Sequence, residues 1–184
     1  QWKRTVETIN FYKTLVDGDQ NKIFVGGIMA SLLPDEIWQR TGIHPFVGVI
    51  TSAQQIGLDG TENIDTLPLD YGILNDRLYA INSTFYAYAS RGCVNSCKWC
   101  GVPKMEGKTY YISIRNALLE MRELYGDKPR LKLMDNNVLA CPDFEQIVED
   151  LLELGYGVGN KTSGEPHKKR VVDFNQGLDA SYLT

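Results

Sequence analysis

Apolar residues recur at helical spacing in three segments of the chain. Residues 2–16 place Trp2, Val6 and Ile9 on one face, and residues 112–125 and 142–154 carry similar stripes. Pro34 marks the start of a shorter helix, because Asp35 and Glu36 follow it in a first turn where the helix dipole favours acidic side chains. The pattern therefore predicts four helices.

Short continuous apolar runs lie between these helices. They predict buried strands at residues 22–26, 45–50, 83–90, 130–135 and 170–174. In the second part of the chain, strand, helix, strand, helix and strand alternate, which is typical of a parallel sheet with helical crossovers. The first part repeats a strand–helix–strand pattern, as in a doubly wound sheet. Residues 160–169 are expected to form a polar loop.

The fold class is therefore α/β, in two parts. Residues 52–80 show little periodicity and are rich in Gly, Asp and Asn. We predict a first α/β segment over residues 1–60, a linker over 61–80, and a second α/β segment over 81–184 with about three βα units.

The bulk composition excludes several classes of protein. The 184 residues are 43% hydrophobic and carry a net charge of -4, so a packed core is expected and a broadly basic surface is not. No apolar run approaches the roughly 20 residues that span a bilayer, so we expect no membrane association. Three of the four cysteines are clustered rather than spread for disulfide pairing, which favours a reducing cytoplasm and a metal-binding role.

The most specific chemical signal is the run SRGCVNSCKWCGVP, which holds Cys93, Cys97 and Cys100. The three thiols are separated by three and then two residues, directly after a predicted strand. On a four-iron cluster, three thiolates leave one iron without a protein ligand, which is the open position that a catalytic metal site needs.

Zinc is the alternative metal for this site. A structural zinc site commonly has two ligand pairs, and here neither His44 nor His167 is nearby, while the fourth cysteine, Cys141, lies one βα unit away. Cys141 is expected to be a small buried hydrophobic residue.

This cysteine run resembles the signature of the radical S-adenosylmethionine (radical SAM) superfamily, with Trp99 as the aromatic residue before the last cysteine. The segments after it, LMDNNVLACPDFEQIVEDL and VVDFNQGLDASYLT, resemble the second and third βα units of cobalamin-binding-type radical SAM proteins and of methylthiotransferases. The resemblance covers about residues 80–184 and implies that residues 81–184 form the N-terminal half of a radical SAM barrel.

The resemblance also implies cofactors and a reaction. Cys93, Cys97 and Cys100 would ligate a [4Fe-4S] cluster, whose open iron would bind S-adenosylmethionine. An electron from an external donor would then cleave S-adenosylmethionine to methionine and a 5′-deoxyadenosyl radical, which would act on an unknown substrate. A cluster- or zinc-binding module without turnover, inactive because truncated, is the alternative.

Further residues would contact the cofactor. The resemblance implies that the backbone near Trp99 packs against adenine. Three residues at the end of the second predicted strand would bond the methionine amine or the ribose: Asp135, Asn136 and Asn137. Gln176 and Asp179, after the third strand, would do the same or face the substrate.

Residues 22–36, KIFVGGIMASLLPDE, resemble the C-terminal half of a cobalamin-binding doubly wound domain. Gly26 and Gly27 would match the glycine pair that lines the pocket of the nucleotide tail. Cobalamin is thus a possible cofactor, but the Asp-x-His-x-x-Gly motif of the lower cobalt ligand is absent from the sequence, which argues against cobalamin binding by this chain alone. We expect further sequence or another chain to complete the barrel.

Overall fold

The computed structural model describes residues 2–17, 19–74, 81–157 and 170–183. The chain divides into two compact units, one of residues 1–62 and 96–107 and the other of residues 63–95 and 108–184. Residues 63–74, in the region predicted as a linker, belong to the second unit. No helix in the described ranges is long and apolar enough to cross a bilayer.

The first unit is helical. Its helices are α1 (Trp2–Leu15), α2 (Ile28–Leu32), α3 (Pro34–Thr41) and the short α4 (Val102–Met105). A small core packs between them, formed by Ile9, Ala30, Ile37 and Ile43.

Helix α3 shows how the sequence sets the ends of an element. Pro34 occupies its first turn with Asp35 and Glu36, as predicted. At the other end Gly42 adopts φ 69°, a left-handed conformation that favours glycine, and its N–H donates to the carbonyl of Trp38 at 2.7 Å. Helix α1 likewise confirms the helix expected over residues 2–16.

The two strands predicted in this unit, at residues 22–26 and 45–50, are wrong. Residues 20–22 form a single 3-10 turn and residues 23–26 are irregular, with Phe24 56% exposed. One backbone bond, from Phe46 N to Val25 O at 2.8 Å, joins the two segments. Pro45 has no N–H to donate and Gly48 turns the chain at φ 98°, so no ladder develops in the described residues. The doubly wound arrangement is therefore not seen in them.

The second unit contains the predicted parallel sheet. Its strands are β1 (Thr84–Ala87), β4 (Arg130–Leu133) and β5 (Val171–Phe174), in the order β1-β4-β5 and all parallel. Thr84 pairs with Arg130, and Arg130 pairs with Val171. The crossovers carry α5 (Arg115–Tyr125) and α6 (Phe144–Glu153).

One hairpin in this unit escaped prediction. The segment predicted as a single strand over residues 83–90 breaks after β1, and Ser90–Arg91 forms a short strand, β2. β2 pairs antiparallel with β3 (Tyr110–Tyr111), so that the chain on either side of the cysteine run is joined at its base. Two-residue strands are too short to show a periodicity.

The core of the second unit lies between the sheet and the two crossover helices. Its largest fully buried members are Tyr156, Phe85, Leu118, Met121, Leu131, Leu133 and Ile147. Gly155 follows the end of α6 with φ 81°, and a Cβ there would lie 2.3 Å from Nη1 of Arg170. The polar loop predicted at 160–169 lies outside the described residues.

Candidate functional site

The cysteine loop starts where β2 ends. Cys97 is exposed, Cys93 and Cys100 are half-buried, and all three are free thiols. The N–H of Asn95 donates to Sγ of Cys93 at 3.4 Å, and the N–H of Cys100 donates to the carbonyl of Cys97 at 3.0 Å. The loop thus consists of local turns that leave the thiols chemically available.

The part of the chain that the structure describes shows no preformed metal site. Within the described ranges, no three His, Cys, Asp or Glu side chains lie close enough together to hold a metal ion. Cys93 belongs to the second unit, and Cys97 and Cys100 belong to the first. The donor set nevertheless suits iron, because free, accessible thiols become the soft thiolate ligands that iron–sulfur clusters use. Their ligand role stays a prediction.

Asp135 follows β4 at the carboxyl edge of the sheet and is only 4% exposed. Its Oδ2 accepts from the N–H of Ala89 at 3.1 Å, and its Oδ1 accepts from both the N–H and the hydroxyl of Ser90. Burial raises the pKa of this carboxyl, while the bonds from Ser90 and Ala89 oppose the rise. The side chain expected to bind S-adenosylmethionine thus bonds the chain that leads into the cysteine loop.

A second set of polar groups joins the loops that follow all three strands. Oδ1 of the buried Asn137 accepts from the N–H of Asp179 at 3.2 Å. The carboxylate of Asp179 accepts from the N–H and hydroxyl of Ser181, and these bonds, with one from the side chain of Asn95, lower its pKa. Asn137 and Asp179 follow β4 and β5, and Asn95 follows β2, the short strand after β1, so the carboxyl edge of the sheet brings these loops together.

The remaining predicted contacts are more open. Asn136 is half-buried and Gln176 is exposed. Trp99 is 88% exposed, so its indole ring has little packing role in the loop. That exposure is compatible with an aromatic residue awaiting a ligand, and the cofactor roles of these three residues stay predictions.

Gly26 and Gly27 lie in the first unit, before α2. Gly27 has φ 91° and no atom within 4 Å of a Cβ placed on it, so backbone conformation explains the glycine there. Gly26 lines a cavity of about 690 Å³ between α1 and residues 22–26, with Arg4, Ile9 and Met29 also in its wall. Cobalamin binding at this glycine pair stays a prediction.

Sequence reasoning missed three polar residues near the carboxyl edge of the sheet: Ser90, Asn95 and Arg91. Arg91 forms an ion pair with Asp65. Nε and Nη2 of Arg91 donate to Oδ1 of Asp65, at 3.2 and 2.7 Å. The available signal was position alone, because Ser90 and Arg91 lie between a predicted strand and the first cysteine, and Asn95 lies between the first two cysteines.

The fold and the polar carboxyl edge of the sheet define a class of protein. It is an α/β protein with a parallel sheet and a cysteine loop that follows the first strand of that sheet. Comparison with curated proteins agrees. The chain is 30% identical over 65% of its length to a tRNA-2-methylthio-N(6)-dimethylallyladenosine synthase of Prosthecochloris aestuarii, and 26% identical over 67% to a ribosomal protein uS12 methylthiotransferase of Dictyoglomus thermophilum. It is 24% identical over 83% to a bacteriochlorophyllide d C-12(1)-methyltransferase of Chlorobaculum tepidum.

These matches confirm the resemblance: the chain is related to the radical SAM methylthiotransferases and to a cobalamin-type radical SAM methyltransferase. The matched regions make up 29%, 30% and 39% of these three relatives in the order given, so the chain spans about a third of their length. No protein-family model matches the chain.

Proposed function

We propose that this chain is the cluster-bearing part of a radical SAM enzyme, with Cys93, Cys97 and Cys100 as the ligands of a [4Fe-4S] cluster. The observation that carries the proposal is the cysteine spacing with Trp99, which follows the first strand of a parallel sheet and the short strand β2. When bound, such a cluster supplies the electron that cleaves S-adenosylmethionine to a 5′-deoxyadenosyl radical.

The chain's own residues would bind the cluster and orient S-adenosylmethionine. Cys93, Cys97 and Cys100 would supply the thiolate ligands of the cluster. The amide and carboxylate groups after β4 and β5, among them Asn137 and Asp179, line the edge where S-adenosylmethionine would lie. The backbone near Trp99 would pack against the adenine. The substrate class is left open.

Anaerobic reconstitution with iron and sulfide tests this proposal. We expect about four irons and four sulfides per chain. We also expect a changed EPR spectrum of the reduced cluster on addition of S-adenosylmethionine, and 5′-deoxyadenosine among the products. Stoichiometric zinc without iron uptake would contradict the proposal. A cluster that yields no 5′-deoxyadenosine would favour a binding module without turnover.

The cysteine assignment has its own test. Cys97→Ala removes an exposed thiol with no core contact, so it should abolish the cluster-dependent cleavage while the circular dichroism spectrum stays unchanged. Cys141→Ala is the matched control, because it also removes one of the four thiols, but one buried in the core. We expect the control to retain the iron stoichiometry. Cleavage by Cys97→Ala protein would refute the ligand assignment.

A further inference from the structure

The segment just before the cysteine loop, residues 89–91, is anchored on two sides within the second unit. From the sheet side, the buried carboxylate of Asp135 accepts from the N–H of Ala89 at 3.1 Å and from the hydroxyl of Ser90 at 2.6 Å, in addition to the N–H of Ser90. We call residues 89–91 the stem of the loop.

The other side of the stem is held by Arg91. Its guanidinium bonds Oδ1 of Asp65, whose side chain is buried, and lies 3.6 Å from the ring centroid of Tyr88. The carbonyl of Ala89 also accepts from the N–H of Ile112 at 2.9 Å. The stem is therefore held by Asp135 after β4, by Asp65 in the turn at 63–66, and by the backbone of Ile112 after β3.

Cys93 follows this stem after a single residue, Gly92. A buried carboxylate is costly unless its oxygens are bonded, and both oxygens of Asp135 are occupied by the stem. Both oxygens of the Asp135 carboxylate thus accept hydrogen bonds from the chain that leads to the first cysteine, while its cofactor contact stays a prediction.

We infer that Asp135 is a positioning residue: by fixing residues 89–91 it holds the stem from which Cys93 projects, and so governs how firmly the cysteine loop retains iron. The inference rests on the proposed function, because it concerns the same cluster. Partners that orient metal ligands without touching the metal change metal affinity by about 10- to 100-fold. Asp135 acts one step further back, through the backbone.

Asp135→Asn is the informative variant. It keeps the size of the side chain but turns an NH₂ donor toward backbone N–H groups that are themselves donors. Ser90→Ala removes only the hydroxyl bond and serves as the milder second variant. Asp173→Asn is the matched control, since it makes the same chemical change at an exposed carboxylate on the neighbouring strand β5, where Asp173 pairs with Lys132 at 3.5 Å.

The first readout is amide hydrogen exchange of the metal-free protein, which needs no cluster. We expect faster exchange at residues 89–93 in Asp135→Asn, a smaller increase in Ser90→Ala, and none in Asp173→Asn, while α5 and β4 stay unchanged in all three. Equally faster exchange across α5 and β4 would mean a global effect and would overturn the positioning role.

The second readout is the rate at which the reconstituted protein releases iron to a chelator, without S-adenosylmethionine, so that a cofactor contact cannot contribute. We expect release about 10-fold faster in Asp135→Asn, an intermediate rate in Ser90→Ala and the wild-type rate in Asp173→Asn. Wild-type release by Asp135→Asn, or loss of only its response to S-adenosylmethionine, overturns this inference and leaves the proposed function intact. A wild-type protein that takes up no iron overturns the proposed function and this inference with it.

Discussion

Cys141 has the same chemistry as the three loop cysteines but a different environment. It is 3% exposed and packs in the core of the second unit, and burial raises the pKa of its thiol. The prediction that it is a small buried hydrophobic residue is confirmed. Environment, not residue type, separates a core thiol from a candidate ligand.

The separation can be measured by labelling. In the metal-free native protein near pH 8, iodoacetamide should modify Cys93, Cys97 and Cys100 and leave Cys141 intact, because alkylation needs an accessible thiolate. Peptide mass spectrometry reports each site, and the same reaction in urea is the control that must label all four. Rapid labelling of Cys141 in the native protein would contradict its placement in the core.

The ends of helices are set by local sequence, whereas strands depend on a pairing partner elsewhere in the chain. Helix α6 keeps its predicted extent within two residues, because an apolar stripe and Gly155 define it locally. The segment at residues 22–26 has an apolar run too, yet forms no strand in the structure, because a strand needs a partner with free N–H groups at the right register. The run is not buried either, since Phe24 is 56% exposed, so an apolar run of that length establishes neither pairing nor burial by itself.

The hairpin at the base of the cysteine loop offers a test at this scale. The Tyr111 hydroxyl in β3 donates to Oδ2 of the buried Asp150 in α6 at 2.5 Å. Tyr111→Phe leaves that carboxylate oxygen without this donor, so the free energy of unfolding should fall by about 1–3 kcal/mol. Urea denaturation measures the change, with Tyr182→Phe at an exposed position as the control. An unchanged midpoint in Tyr111→Phe would show that the bond contributes nothing to stability.

At the scale of the whole molecule, buried tyrosines make the stability of the fold depend on pH in the alkaline range. Tyr71 packs in the core of the second unit, its hydroxyl accepts from the N–H of Tyr86 at 2.8 Å, and burial raises its pKa from 10.0 to about 12. Between these two values the unfolded chain loses the proton while the folded chain keeps it, so stability falls as pH rises.

The loss attributable to Tyr71 should be on the order of 2–3 kcal/mol once both values are passed. Urea denaturation at pH 9 and pH 11.5, which is still below the folded value, measures the greater part of this loss in wild type and in Tyr71→Phe, which has no phenol proton to lose. We expect the decline with pH to be smaller in the variant, with a remainder from Tyr111 and Tyr156, whose pKa values burial also raises. If stability fell equally with pH in both proteins, a group other than Tyr71 would be responsible for the pH dependence.

By itself the sequence determined the helices with clear stripes, the three parallel strands of the second unit, the burial of Cys141 and the relationship to radical SAM proteins, because periodicity and motif spacing are local properties. Only the tertiary structure decided that residues 22–26 and 45–50 remain unpaired as strands, that residues 63–74 pack with the second unit, and that Asp135 holds the stem of the cysteine loop. Each of these depends on which distant groups meet: Asp135 lies 45 residues after Ser90 along the chain. A donor and an acceptor so far apart leave no periodic trace, and only the parallel pairing of β1 with β4 brings them into contact.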